Sequence, residues 1–478
     1  MIDENNFRRY GPEDASGMPD HNMLQILRPA RIVGLYGGLT STAPRVYELA
    51  KIYKQMGVIV IAGGQHFVDE NIAEALNNGV DIVVIGEGED AVKEILTTVA
   101  AGKTDYSGIR GIAFLKDGKI VQTPERPPIT DFDSLPLPDF SLIRYATVKL
   151  YPVNWARGCG MNCEFCTVKS APRPASVHRV FRNFVYLVEK FNANRFFIVD
   201  DLFGQNRKEA LELLKLLGDY QEEAGVRLGI TVQIRLDRAR DTELLKAMRR
   251  AGVTMVCIGF ESPIAEELLA MDKRLKPQDM VELARLYHNA GFLVHGMFIF
   301  GYPLPTGKDN TCIIPTAERV RRFRKFIKAA KLDTIQVLLP VPLPGTEMTA
   351  RLKAQNRVFP LSEVGWEYYD GNFPLFRPDP PVTPEEMHRA VVKIMGRFYK
   401  FNYMFAIGYN VMVFPSMLFY LHNLGRGWKI WSRKWNNSLI RFGGWMVIRR
   451  WKREFSKGLF MDKLARAKGH KTSEPGQA

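Results

Sequence analysis

Residues 155–170 read WARGCGMNCEFCTVKS, which places three cysteines, Cys159, Cys163 and Cys166, within eight residues. The chain of 478 residues holds two others, Cys257 and Cys312, each isolated. Thiolate is a soft ligand that selects zinc or iron–sulfur clusters. A structural zinc site closes with four ligands, so a zinc reading has to recruit Cys257, Cys312 or a histidine such as His178. A cubic iron–sulfur cluster on three thiolates leaves one iron without a protein ligand, the vacancy that a catalytic metal needs. On that second reading, three cysteines are a complete set.

The triad follows KLYPVNWA, the first of six candidate strands in residues 148–350; RFFIVDD, RLGITVQIRLD, TMVCIGFES, LVHGMFIFGYP and DTIQVLLPVP come after it. Helical stretches such as NRKEALELLKLLGDYQEEAG and DTELLKAMRRAG lie between them. Strands alternating with helices predict a parallel sheet, and six βα units predict a partial (β/α)6 TIM-like barrel. Residues just past the strands of such a barrel share one mouth. The triad would meet Asp200, Asp201, Arg235, Asp237, Glu261, Gly301 and Tyr302 there, although they are far apart in sequence.

Upstream, RIVGLYGG, VIVIAGG and DIVVIGEGE alternate with RVYELAKIYKQMG, VDENIAEALNNG and DAVKEILTTVAAG. This β-α-β-α-β-α order predicts a Rossmann-like parallel sheet over residues 1–113, with its ligand loops at the strand C-termini. It is short for a whole domain, because the first 30 residues supply no βα unit. Residues 114–147 predict a small hairpin and a Pro-rich linker, and residues 351–478 a helical C-terminal extension.

The spacing CxxxCxxC at the first strand of a partial barrel, with Phe165 just before the last cysteine, resembles the radical SAM superfamily. The stretches FIVDDLFGQNR, IRLDRARDTELLKAMRRAGVTMVCIGFES, GMFIFGYP and PVPLPGTEM are similar to its cobalamin-type subgroup, which includes anaerobic tetrapyrrole cyclases and radical SAM methylases. The resemblance implies a 4Fe-4S cluster on Cys159, Cys163 and Cys166, and S-adenosylmethionine (SAM) chelated to the open iron. One electron then cleaves SAM to a 5′-deoxyadenosyl radical. It further implies SAM contacts from Phe165, Asp200, Arg235, Glu261, Ser262, Gly296 and Gly301. On residue chemistry alone, Asp200 and Asp201 are equally a polar strand end capping a helix, and Arg235 and Glu261 equally an ion pair across the mouth.

GLYGGLTST, VIAGGQHF and VVIGEGEDAV resemble the later strands of the subgroup's cobalamin-binding domain. The resemblance implies cobalamin contacts from Gly63, Gly64, His66, Gly86, Glu87 and Gly88, the glycines keeping the loops low. The chain departs from the pattern at its start. The first βα unit, whose loop in many such domains carries a DxHxxG motif with an axial histidine, is missing, and PDHNML (19–24) has neither the spacing nor a preceding strand. Three readings follow: cobalamin held without a protein axial ligand, a start codon further upstream, or a remnant kept as scaffold. His66 is equally a hydrogen-bonded loop histidine.

A chain with 46% hydrophobic residues is folded, and five cysteines with no apolar N-terminal signal point to a reducing, cytoplasmic setting. The net charge of +15 concentrates in GRGWKIWSRKWNNSLIRFGGWMVIRRWKREFSKGLF (425–460). Together with the largely apolar segment 401–421, interrupted by Asn410 and Pro415, this stretch predicts peripheral contact with the inner face of a membrane. The alternative is packing on the barrel with the cations in water. No recognised nucleic-acid module supports a nucleic-acid reading. The expected partners are a small-molecule substrate, lipid-like or polycyclic, and a reductant such as ferredoxin or flavodoxin. Methyl transfer, oxidative cyclisation, a radical rearrangement without cobalamin, a zinc-bound scaffold and a membrane-tethered binding protein are the competing functions.

Overall fold

The computed structural model describes residues 1–7, 10–273, 275–305, 314–409, 412, 425–457 and 459–469. The N-terminal sheet has the order β1-β2-β3-β4-β5. Its first three strands, β1 (Ile32–Tyr36), β2 (Ile59–Gly63) and β3 (Ile82–Val84), run parallel. They are rich in β-branched residues, which suits strands covered on both faces. Helices α2 (Ala43–Gln55), α3 (Glu70–Asn77) and α4 (Glu89–Ala100) connect and cover them, and α1 (His21–Leu27) packs on α2. The hairpin read as the start of a linker belongs to this sheet instead. Its arms β4 (Ile112–Lys116) and β5 (Lys119–Gln122) pair antiparallel, and β4 also pairs antiparallel with β3. Ile112, Ala113 and Phe114 are buried, so a boundary at residue 113 cuts a core strand and the sheet runs to residue 122.

The second sheet has the order β13-β12-β11-β10-β9-β6, and every pair in it is parallel. Its strands are β6 (Tyr151–Val153), β9 (Arg195–Phe203), β10 (Gly229–Ile234), β11 (Val253–Glu261), β12 (Leu293–Ile299) and β13 (Thr334–Leu338). A short ribbon of β7 (Ala156–Arg157) and β8 (Arg173–Pro174) brackets the cysteine loop. Alternate residues of each strand face the outer helices. On β11 and β12 these include Phe260 and Phe298, which stack at 5.5 Å and meet Phe326 of α10 (Thr316–Ala329).

The loops are short because the helix starts are capped. Ser176 accepts from Arg179 N at the head of α5 (Val177–Phe191), and Asn206 accepts from Lys208 N at the head of α6 (Arg207–Ala224). Asp241 accepts from Leu244 N at the head of α7 (Thr242–Arg250). Each cap satisfies orphan N–H groups within the first turn. The remaining helices near the barrel are α8 (Ala265–Ala270) and α9 (Pro277–Asn289).

The two sheets are held together at the loops. Glu87 accepts from Arg173 and from Ile129 N, Gln65 accepts from Thr167 at 3.2 Å, and Lys353 pairs with Glu70. Trp366 Nε1 donates to the Glu74 carboxylate at 3.0 Å. The C-terminal extension is helical: α11 (Glu347–Ala354), α12 (Leu361–Val364) and α13 (Pro384–Phe398), then helices Gly425–Lys457 and Phe460–Gly469. Most of the predicted apolar segment 401–421 lies outside the described residues; 403–409 are helical. Among the described residues no helix is long and apolar enough to cross a membrane.

Candidate active site

A cavity of about 290 Å³ opens at the C-terminal ends of the barrel strands and is lined by Cys159, Cys163 and Cys166. Cys163 is buried and the other two are half-buried. The loop can hold them because Gly158 and Gly160 take left-handed φ values of 94° and 69°. A Cβ on Gly158 would come within 2.5 Å of the Ala171 carbonyl, so only glycine fits there. Burial pushes the Cys159 and Cys163 thiols above their ordinary range, with the Lys273 ammonium acting against it. Among the described residues, no three His, Cys, Asp or Glu side chains converge closely enough to hold a single metal ion. A cluster asks for no such convergence, since its separate irons each meet one thiolate. Cys312 lies outside the described residues.

Opposite the thiols, β11 ends in an irregular step at Gly259–Glu261, and Glu261 sits at φ 58°. A non-glycine residue in this region is strained, and its carboxylate is thereby aimed into the cavity, where Lys273 Nζ lies 3.0 Å away. Burial alone would lower the Lys273 pKa; Glu261 and the neighbouring thiols overcome it and hold it above the ordinary value. Arg235 and Asp237 form a two-pronged pair with distances of 3.0 and 2.7 Å. Asp201, Gln233, Cys257 and Met297 complete the lumen wall. Phe165 lines the cavity edge-on to Tyr302, with ring centroids 6.1 Å apart. The Tyr302 hydroxyl donates to Glu164, which also pairs with Arg351 at 2.7 Å. The side chain preceding Phe165 is thus anchored away from the mouth.

The structure brings Phe165, Arg235 and Glu261 to the thiols; four other predicted contacts lie elsewhere. Asp200 is on the helix-facing side of β9, 2% exposed, and accepts from Trp155 N at 2.7 Å and Ala156 N at 3.0 Å. It fixes the backbone that enters the cysteine loop, while Asp201, of opposite parity, reaches the cavity. Burial pushes the Asp200 carboxyl up to about 7, against those two N–H donors. Ser262 is fully buried and donates to Glu267. Gly296 faces the helices, where a Cβ would meet Leu332, and the corresponding position at Gly301 would meet Met387. Sequence reasoning missed Lys273. It stands in MDKRLK, 12 residues past Glu261, with no strand end to mark it and with Arg274 and Lys276 beside it in sequence, so nothing singled it out.

At the first sheet, the loops after β1, β2 and β3 form one edge. Gly37 N donates to Gly63 O and His66 N to Gly37 O, and Gly64 at φ 125° lies so close to Gly37 that no Cβ fits. Tyr36 and Leu39 stand exposed on this edge. Space is open around Gly86, and Gly88 opens α4. Glu87 faces the barrel: Arg173 and Arg157 pair with it, and together with Ile129 N they outweigh burial and lower its pKa to about 2. His66 is fully buried beneath Trp366, with ring centroids 4.9 Å apart, and its Nε2 meets the Tyr47 hydroxyl at 3.1 Å. It does not reach the open edge.

The radical SAM superfamily profile matches residues 153–332, and a B12-binding domain profile matches residues 25–96. The chain carries domains of both kinds. It is an enzyme of the radical SAM type, with a B12-binding domain ahead of its barrel. It is 28% identical to an uncharacterized methyltransferase of Pyrococcus horikoshii over 76% of this chain and 78% of that protein. It is 26% identical to the anaerobic magnesium-protoporphyrin IX monomethyl ester cyclase of Rubrivivax gelatinosus, over 74% of this chain and 64% of that one. In fold it resembles the radical SAM methyltransferase TsrM of Kitasatospora setae, solved with cobalamin and a [4Fe-4S] cluster: TM-score 0.58, 18% identity, 70% of this chain and 68% of that chain.

These domains imply a 4Fe-4S cluster, SAM and cobalamin. The residues fit the first two: three thiols and an inward-aimed Glu261 border one cavity. They fit the third as a platform, because the glycine-lined edge is low and apolar at Tyr36 and Leu39. Gln65 on that edge touches Thr167, the residue after Cys166. Of the residues predicted to contact cobalamin, His66 and Glu87 are occupied otherwise.

Proposed function

We propose that this radical SAM enzyme carries out methyl transfer or oxidative cyclisation on a lipid-like or polycyclic small molecule, with electrons from a reduced ferredoxin or flavodoxin. The observation that carries this reading is the shared boundary between the thiol-lined cavity and the glycine-rich edge, joined through Gln65 and Thr167. When bound, the cluster supplies the electron, SAM the radical and methyl group, and cobalamin a methyl carrier. The chain's own part is placement. Cys159, Cys163 and Cys166 hold the cluster. Glu261 offers a carboxylate to the SAM ammonium, and Arg235, whose Nε and Nη2 are held by Asp237, offers Nη1 to its carboxylate or ribose. Lys273 holds the Glu261 carboxylate in place, and Phe165 with Met297 offers apolar surface that keeps water out.

The test is anaerobic purification with iron and sulfide reconstitution, followed by iron analysis, EPR after dithionite reduction with and without SAM, and assay for 5′-deoxyadenosine. The expected result is a reduced cluster whose signal shifts with SAM, and deoxyadenosine that disappears in Cys163→Ala. Stoichiometric zinc, or a cluster indifferent to SAM, overturns the reading. Cobalamin retention is read separately from the visible spectrum.

A further inference from the structure

Residues 400–460 hold 11 lysines and arginines against a single carboxylate, Glu454, a net +10 out of the chain's +15. The same region leaves large apolar side chains in solvent. On helix Gly425–Lys457, Met446 and Val447 are 53% and 68% exposed, and Leu439 lies on the same face two turns earlier. Phe405 and Tyr409, in the helical segment 403–409, are more than half exposed. Phe401, two residues ahead of that segment, ties it to the long helix: its ring lies 5.0 Å from Trp445, on which Phe442 of the same helix stacks at 5.8 Å. One turn further on, Arg449, Arg450 and Arg453 are exposed, Arg449 lying over the Trp445 ring at 5.5 Å.

Monomeric surfaces scatter single apolar residues; here several are gathered on two neighbouring segments beside exposed cations, as at a surface that meets a partner. Its charge identifies the partner as an anion, and Leu439, Met446 and Val447 need that anion to carry hydrocarbon. A nucleic-acid strand meets the first requirement and not the second, and the faces of Phe442 and Trp445 are already turned to each other. We infer that this face docks peripherally on an anionic phospholipid bilayer, setting Phe405, Met446 and Val447 at the headgroup boundary and the arginines against lipid phosphate. The inference goes beyond the reaction proposed above and is independent of it.

The experiment floats the full-length, reconstituted enzyme with vesicles of phosphatidylcholine, either alone or containing phosphatidylglycerol. Binding is expected only to the anionic vesicles and is weakened by salt. Each cation near such a surface contributes about fivefold to partitioning, so Arg449→Glu/Arg453→Glu is expected to weaken binding about 25-fold or more. Met446→Asp/Val447→Asp is expected to abolish it at every salt concentration. Unchanged circular dichroism and deoxyadenosine formation show that both variants are folded, whatever the substrate proves to be. Equal binding to neutral vesicles, no binding to either, or arginine variants that bind like the parent overturn the proposal. So does tighter binding to a single-stranded RNA 20-mer that the same variants abolish.

Discussion

Arg319→Met is expected to destabilise the protein severely, and Glu267→Leu in the same chain is expected to rescue it. Glu267 is fully buried on α8, Arg319 is 6% exposed on α10, and Arg319 Nε lies 2.9 Å from the Glu267 carboxylate. Ser262 donates to the other carboxylate oxygen and accepts from Ile264 N at 3.1 Å, so the pair also holds the turn that follows Glu261. Removing one partner of a buried pair costs up to about 3–5 kcal/mol where the other stays charged and less where it takes up a proton; replacing both with apolar groups of similar size costs far less. A coupling of roughly 2 kcal/mol or more is therefore expected in the double-mutant cycle, measured by urea unfolding under anaerobic conditions. Burial has already raised the Glu267 carboxyl to about 7 against the pull of Arg319, above its unfolded value of 4.5. The folded state then holds more protons than the unfolded one, and the associated stability falls as pH rises through that window. Without Arg319 the folded pKa climbs further. The deficit of Arg319→Met is consequently small below pH 4.5 and grows with pH. A loss under about 1 kcal/mol at pH 8, or a deficit that does not grow with pH, refutes the reasoning.

Lys273→Met removes the cation beside Glu261 and two of the thiols and is expected to lower the cluster midpoint potential by on the order of tens of millivolts in EPR-monitored titration; an unchanged potential counts against that placement. Glu87→Ala should free the B12-binding domain from the barrel, seen as faster proteolysis in the linker 123–147. In the parent, this latch should weaken as pH falls from 4.5 toward 2, the window between the unfolded and folded pKa values of Glu87. His66→Phe is expected to cost roughly 1–2 kcal/mol and to leave the EPR spectrum of bound cob(II)alamin unchanged, since the ring is buried away from the open edge. Burial lowers the His66 pKa to about 4 from 6.5, so this substitution should also remove part of the parent's loss of stability between those pH values. Nitrogen splitting in the parent that vanishes in the variant would restore His66 as a cobalt ligand.

The six barrel strands and the cysteine loop were legible because strand runs and triad spacing are local features of the sequence. Side-chain parity was the weaker inference. At a polar strand end, Asp200 and Asp201 are indistinguishable until the register with β6 and β10 is known, and it is Asp201 that enters the cavity. Gly296 failed for the same reason, its face being decided by helix packing against Leu332. The sequence pattern announced a hairpin from residue 114 but carried no mark of its pairing with β3, which is a long-range contact. Lys273 reached the site through a loop. His66 was hidden by a tryptophan 300 residues later in the chain.

That tryptophan also sets a timetable. Trp366 closes over His66 and donates to Glu74, 292 residues earlier, so the N-terminal sheet is left unroofed while the whole barrel is synthesised. At ribosomal rates of 5–20 residues per second this interval lasts roughly 15–60 s. During it, the apolar pocket around His66 and Phe67 is a surface that a chaperone can hold or a neighbouring nascent chain can stick to. Truncation between residues 123 and 365 should therefore yield an N-terminal fragment that aggregates, even though every strand of its own sheet is present.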